Sequence, residues 1–103
     1  IGNYYSEASG LTVKNIDNIS TKFYLRFMAV DKPGVLSNIS GVLGKHGISI
    51  NTVSQKEKNR ASIVPLIMIT DHAPEKKLRL ALDKIQKLSI VKSKPVAIRI
   101  ENL

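Results

Sequence analysis

The chain has 103 residues, of which 43% are hydrophobic, and it carries a formal net charge of +8 at pH 7. This length predicts one domain with one modest core, and no apolar run approaches the ~18 residues that a membrane-spanning helix needs. The absence of cysteine excludes a disulfide framework and thiolate chemistry, so we expect a cytoplasmic protein.

The chain opens on a weakly patterned stretch and then becomes regular. Residues 1–21 are rich in Gly, Asn and Ser, which predicts a linker or tail from a preceding domain, and residues 22–103 form the domain. FYLRFMAV (23–30) is apolar on both faces, which predicts a central strand covered on both sides. A helix follows that opens on Pro33-Gly34 and ends near Gly44 or Gly47.

The second half repeats this alternation of strands and helices. Residues 48–55 alternate as a half-exposed strand, residues 57–61 predict a turn, and residues 62–70 form another apolar strand. Pro65 within that strand predicts a bulge or an interrupted edge, because proline cannot donate a ladder hydrogen bond. A second helix spans about 74–88 with Leu80 on its outer side, and a last strand covers 95–101.

The order βαββαβ predicts an α+β, ferredoxin-like fold. In this fold a four-stranded antiparallel sheet of order 4-1-3-2 carries both helices on one face. The other face presents either Tyr24 with Met28 and Val30, or Phe23 with Phe27, depending on register. We expect a second copy or a catalytic domain to cover that face.

No catalytic constellation is found in the sequence. His46 and His72 have no second ligand at metal spacing, and Asp31 and Asp71 each precede a helix, where capping is the expected role. No nucleophile motif or phosphate-binding glycine loop occurs. This chain alone is therefore not expected to be an enzyme, to hold a metal or to bind a cofactor.

The positive charge raises nucleic acid as a partner, but the pattern favours a solvated surface. Gly44-Lys45-His46-Gly47 spells the GXXG of KH domains, yet that loop joins two helices and this one leads into a strand. An RNA-recognition motif shares the predicted topology and stacks bases on aromatic residues of both central strands. Here only the first strand has aromatic residues, so nucleic acid remains the minority interpretation.

Gly34 in the first turn of the first helix is the sequence's most informative feature. The N–H groups of Gly34, Val35 and Leu36 would lack helical partners there, and a residue without Cβ would let a carboxylate approach them. Asp31 could accept from an ammonium group, and Asn51 could add an amide, so the pattern fits a free amino acid. Alternatively, Gly34 only permits a tight turn and Asp31 only caps the helix.

The ordered series DKPGVL, GVLGKHGISINTVSQKE, VPLIMIT and KPVAIRIENL resembles a known family. The first two stretches resemble the ACT domain, a regulatory module that binds amino acids in metabolic enzymes. The whole series, over about residues 22–103, resembles the C-terminal end of homoserine dehydrogenases. Residues 11–20 are similar to the linker that leads out of the catalytic domain of those enzymes.

The resemblance implies a feedback module in a larger enzyme. ACT domains pair side by side through a sheet edge, as homodimers or higher oligomers, and bind an effector between the first loop of one copy and the second strand of the other. The parent enzyme reduces aspartate semialdehyde with NAD(P), on residues absent from this chain, and threonine is the first effector to expect. Gln55 is a weaker candidate further along the second strand. The implied effector-binding residues are Asp31, Lys32, Pro33, Gly34, Val35, Leu36, Ile50, Asn51 and Thr52.

Overall fold

Five strands and two helices make up residues 20–55 and 62–100, the parts of the chain that the computed structural model describes. In chain order they are β1 (Ser20–Val30), α1 (Val35–Lys45), β2 (Ile50–Gln55), β3 (Ile63–Thr70), β4 (Ala73–Pro74), α2 (Glu75–Gln86) and β5 (Val96–Ile100). The predicted turn at 57–61, most of the predicted linker and residue 101 of the predicted last strand lie outside the described residues.

β1 is the centre of one antiparallel sheet. It pairs with β3 from Tyr24↔Ile69 to Val30↔Ile63, and on its other side with β5. β2 extends the sheet beyond β3, so the four long strands lie in the order β5-β1-β3-β2, which confirms the predicted 4-1-3-2 arrangement. β1 begins at Ser20 rather than at Phe23, and the short β4 pairs with that added end, which the sequence pattern did not reveal.

One face of the sheet carries the core, and both helices contribute to it. Alternate β1 residues from Phe23 to Ala29 are buried, and so are Val64, Leu66 and Met68 of β3. All of these except Val64 form a single cluster with the inner residues of the helices, so α1 and α2 lie on the same face. The inner residues of the helices form a stripe on each, which consists of Val35, Ile39 and Leu43 on α1 and of Leu78, Ala81, Leu82 and Ile85 on α2.

The opposite face of the sheet, here called the open face, stays partly accessible. Tyr24, Met28 and Val30 of β1 are half-buried there, which decides between the two registers that the sequence allowed. Ile98 of β5 is 47% exposed on the same face. In the described part of the chain β1 is therefore fully covered on one side only, and cover of the open face by a second copy or another domain stays a prediction.

The sequence predicted a bulge or an interrupted edge at Pro65, and the described pairing has no bulge there. The β1–β3 register runs without a shift through the pair Met28↔Pro65, and the described β2–β3 pairing reaches Gln55↔Leu66. The missing N–H of Pro65 therefore interrupts neither described ladder. The irregularity lies instead in β2, where the register shifts between Ile50 and Thr52 and leaves Asn51 as the extra residue.

A tight turn explains Gly34. The N–H of Val35 donates to the carbonyl oxygen of Lys32 at 3.3 Å, which closes a four-residue turn with Pro33 and Gly34 in the middle. Gly34 has φ 87° and ψ −12°, the conformation of the third residue of a type II turn. Proline favours the second position, and the positive φ favours glycine at the third.

The other end of α1 is also closed by a glycine with positive φ. Gly47 has φ 75°, the N–H of Ile48 donates to Leu43 oxygen at 3.0 Å, and the N–H of Gly47 donates to Gly44 oxygen at 2.9 Å. This is the Schellman pattern, in which the residue after the glycine packs back on the helix. Ile48 and Leu43 are both buried, so the prediction of a glycine-terminated helix is confirmed.

The left-handed conformation of Gly34 predicts that substitution by alanine changes stability in opposite directions at Gly34 and at Gly41, two glycines that are both exposed. Gly34→Ala should lower the free energy of unfolding by about 1–2 kcal/mol, because a Cβ is strained at positive φ. Gly41→Ala, inside α1 where an added Cβ meets nothing within 4 Å, should raise it by about 0.5–1 kcal/mol. Urea denaturation of the two variants measures both changes, and a stabilised Gly34→Ala protein would contradict the turn.

Candidate functional site

A cavity of about 270 Å³ opens where β1 passes into α1, here called the α1 mouth. It is lined by all six loop residues that the sequence singled out, 31–36, and by Gln55 from the end of β2. Val64 and Leu66 of β3 add an apolar wall. The loop residues therefore border one concave space, and their role in binding a ligand stays a prediction.

The start of α1 offers backbone donors to this space. The first hydrogen bond along the helix runs from the N–H of Asn38 to the oxygen of Gly34 at 2.9 Å, and the N–H of Val35 is engaged in the turn. The N–H groups of Leu36 and Ser37 precede that first helical bond, and no described side chain caps them. Of the three predicted donors, the N–H of Val35 is therefore already engaged, while the N–H of Ser37, which was not predicted, also has no helical partner. The positive end of the helix dipole favours an anion there.

The α1 mouth has both polar and apolar groups around it. Asp31 is half-buried and its N–H donates to the carbonyl oxygen of Ser62 at 2.9 Å, which ties the loop to the start of β3. The predicted capping role of Asp31 is not found, because no side chain of the described residues caps the start of α1. Leu36 is 42% exposed beside the buried Val35, so an apolar surface adjoins the backbone donors. Such a site can hold a carboxylate, an ammonium group and a short side chain.

The three β2 residues of the predicted site lie away from the α1 mouth of their own chain. Ile50, Asn51 and Thr52 are absent from the lining of the cavity, and Asn51 is four residues, about 13 Å, from Gln55 along the strand. The Nδ2 of Asn51 donates to Asp71 Oδ1 at 3.0 Å. This bond, rather than a helix cap, is the observed role of Asp71, since the residue before α2 is Pro74 and no described side chain caps that helix.

Gln55 is the site residue that sequence reasoning undervalued. β1 and β2 each pair antiparallel with β3, so they run parallel to each other and their carboxyl ends meet at one edge of the fold. This topology places Gln55, the last residue of β2, beside the loop that follows β1. The predicted strand order contained that information, which could have ranked Gln55 above Asn51 within one chain.

The outer edge of β2 is open among the described strands. β2 pairs with β3 on one side, and every residue from Asn51 to Gln55 is exposed. An unpaired strand edge is a template for another strand. If two β2 strands paired antiparallel about the midpoint of the strand, Asn51 of a second copy would lie opposite Ser54, next to Gln55 and the α1 mouth.

Neither histidine is placed for metal or acid–base chemistry. The Nδ1–H of His46 donates to the oxygen of Val42 at 2.8 Å at the end of α1, as expected for a residue that closes a helix. His72 is exposed. Among residues 20–55 and 62–100, no group of three or more metal-binding side chains comes together, and no helix is long and apolar enough to cross a membrane.

The structure also removes the support for base stacking. Phe23 and Phe27 are fully buried in the core, so Tyr24 is the one aromatic residue that the described part of the sheet presents on its open face. Stacking of successive bases needs aromatic residues on both central strands. The residues Gly44 to Gly47 end α1 and lead toward β2, which differs from a loop that joins two helices.

Comparison with known proteins agrees with this geometry. A sequence model of the ACT domain family matches residues 23–89. A homoserine dehydrogenase of Pseudomonas aeruginosa is 34% identical over 89 residues, which are 85% of this chain and 20% of that protein. The chain thus spans about a fifth of the length of the curated relative that it matches.

Solved structures give the same result. A homoserine dehydrogenase from Thiobacillus denitrificans superimposes with a TM-score of 0.75 at 36% identity, over 84% of this chain and 19% of that one. The ACT domain of a GTP pyrophosphokinase from Chlorobium tepidum has a TM-score of 0.59 at 23% identity, over 79% of this chain and 99% of that domain, which supports the fold alone. The chain belongs to the ACT domain family.

Proposed function

We propose that this chain is the regulatory domain of a homoserine dehydrogenase and that it binds a free amino acid, threonine first, between two copies. The similarity to homoserine dehydrogenases over most of the chain supports this parent. The reduction of aspartate semialdehyde to homoserine with NAD(P) would belong to the remainder of the longer protein. This domain would sense the amino acid and inhibit that reaction.

The observation that carries the proposal is the α1 mouth. One cavity brings together the loop 31–36, the amide side chain of Gln55 and the apolar wall of β3. The N–H groups of Leu36 and Ser37 would bind the ligand carboxylate. The carboxylate of Asp31 would bind its ammonium group, and the exposed Leu36 would contact its side chain.

A second copy would complete the site from the open edge of β2. Antiparallel pairing about the strand midpoint would bring Ile50, Asn51 and Thr52 of that copy near the α1 mouth, as the predicted site requires. The Nδ2 of Asn51 already donates to Asp71, so its side-chain oxygen would accept from the ligand ammonium. In this arrangement dimerisation and effector binding support each other.

Regulation by such a site is limited by differential affinity. An effector shifts the parent enzyme only as far as it binds one arrangement of two domains better than another. Coupling free energies between sites are about 1–3 kcal/mol, which corresponds to about 5–150-fold in affinity. A ligand that bridges two copies meets this requirement, because separation of the copies removes half of its contacts.

Two observations favour a second candidate, an ACT domain without a ligand that serves only in assembly. Gly34 is explained by the type II turn alone, and the amide of Asn51 has a partner within its own chain. Such a domain would form the same dimer whether or not an amino acid is present. Sedimentation velocity with and without threonine separates the two candidates, since the proposed sensor should dimerise more tightly with ligand.

Calorimetric titration of the chain with threonine, lysine, methionine, isoleucine and serine tests the sensor function. We expect one saturable binder at physiological salt, with a stoichiometry of one or two ligands per dimer. Absence of heat across the panel, together with a stable dimer, would contradict the sensor and support the assembly module.

Two pairs of variants test the site itself. Gly34→Asn should weaken binding at least tenfold, because asparagine tolerates positive φ while its side chain occupies the α1 mouth. Gly47→Asn, at the other positive-φ glycine, should leave the affinity unchanged. Equal affinity of the Gly34→Asn protein and the unmodified chain would remove the α1 mouth from the site.

The second pair concerns Asn51. Asn51→Ala should weaken binding about tenfold through loss of a hydrogen bond to a charged ligand group. Asp71→Ala removes the same hydrogen bond within the chain but keeps the amide, so it should bind normally. If both variants lost affinity equally, Asn51 would act only by supporting the bulge in β2.

A further inference from the structure

A larger cavity, of about 410 Å³, lies on the other side of the fold, between α2 and the segment that leads into β5. We call it the α2–β5 groove. Its apolar lining consists of Leu80 and Leu82 of α2, Pro95 and Ala97. Leu82 and Ala97 are nearly buried, at 8% and 9% exposure, whereas Leu80 is 51% exposed. The groove thus has an apolar floor and an apolar rim residue that the chain itself leaves accessible.

The helix side of the groove is one continuous stripe. Its members are spaced by three or four residues along α2, so they lie on one face of the helix. That face adjoins the core stripe at Leu82, which belongs to the core and also lines the groove. The stripe consists of Lys76, Arg79, Leu80, Asp83 and Gln86.

Positive charges outnumber negative ones around the groove. Three cationic side chains line it, those of Lys76, Arg79 and Lys94, together with one exposed carboxylate, that of Asp83. Arg79 also pairs with the buried Glu75 at 3.8 Å. Lys76 and Lys94 lie on opposite walls of the groove and are both exposed. An anionic group would be attracted to the rim, and a ligand with an ammonium group would be repelled.

We propose that the α2–β5 groove binds a small amphipathic carboxylate with an apolar body and no ammonium group. The body lies on Leu80, Leu82 and Ala97, and the carboxylate lies between Lys76 and Lys94. The volume falls in the range of small-molecule sites, about 300–1,000 Å³. Free amino acids are poor ligands here because their ammonium group meets the cationic rim, so this site is independent of the proposed effector site.

Fluorescence of 1-anilinonaphthalene-8-sulfonate, an amphipathic anion that brightens in apolar surroundings, is the first test on the full chain. We expect saturable binding that octanoate displaces and that octyltrimethylammonium, of equal chain length and opposite charge, does not. Displacement by both amphiphiles at equal concentration, or by neither, would overturn the proposal.

Variants locate the site and separate it from the other exposed apolar surface. Leu80→Asp should weaken displacement by octanoate about tenfold through loss of apolar contact and added repulsion. Lys94→Glu should weaken it about fivefold. The matched controls, Ile98→Asp on the open face and Lys45→Glu at the end of α1, should leave it unchanged. Circular dichroism confirms that each variant is folded.

Amide shifts in ¹⁵N-labelled chain give a readout that does not depend on the dye. Octanoate should shift the amides of Leu80, Asp83 and Ala97. Shifts confined to the open face, around Tyr24 and Ile98, or loss of dye binding in Ile98→Asp but not in Leu80→Asp, would place the anion on the sheet and overturn the proposal.

Discussion

The turn from Lys32 to Val35 is the constraint on which the site depends. Proline sets the second residue, a left-handed glycine sets the third, and one hydrogen bond from Val35 to Lys32 closes the turn. The chain therefore reverses from the carboxyl end of the central strand directly into α1. The same reversal leaves the first turn of α1 without a side-chain cap from the described residues and places its first residues, Val35 and Leu36, at the wall of a cavity. Helix direction, backbone donors and cavity thus follow from one local conformation.

Surfaces that the described residues leave accessible are consistent with the proposed assembly. The sheet buries one face against both helices but leaves Tyr24, Met28 and Ile98 partly accessible on the other. The outer edge of β2 is polar and exposed, and the α1 mouth is bordered by the end of that same strand. The proposed pairing through β2 would satisfy the strand edge and close the cavity. The open face would remain for another part of a longer protein.

The periodicity of the sequence was sufficient to predict the fold, because strong patterns decide element type and order. Alternation in FYLRFMAV and the stripe of α2 placed every long element within a few residues. The wrong details depended on tertiary pairing. The β1–β3 register runs past Pro65 without a shift, and Asp71 accepts a hydrogen bond from Asn51 rather than capping α2. Pairings of this kind have no signature in local residue patterns.

The site was predicted in part for the same reason. DKPGVL is a local motif, so its conformation and its place at the start of α1 could be anticipated from proline, glycine and the helical spacing that follows. The contribution of Gln55 depends on how far β2 extends along β3, and the contribution of Asn51 depends on a second copy. Neither is a property of neighbouring residues in the sequence.

The most direct test of the account is a ¹⁵N–¹H titration of the chain with threonine, read amide by amide. We expect saturable shifts at two places, the amides from Gly34 to Ser37 at the α1 mouth and the amides from Ile50 to Gln55 on β2. The shifts on β2 would report the dimer interface. Saturable shifts elsewhere in the fold, with both groups unmoved, would contradict the claim that the α1 mouth is an effector site.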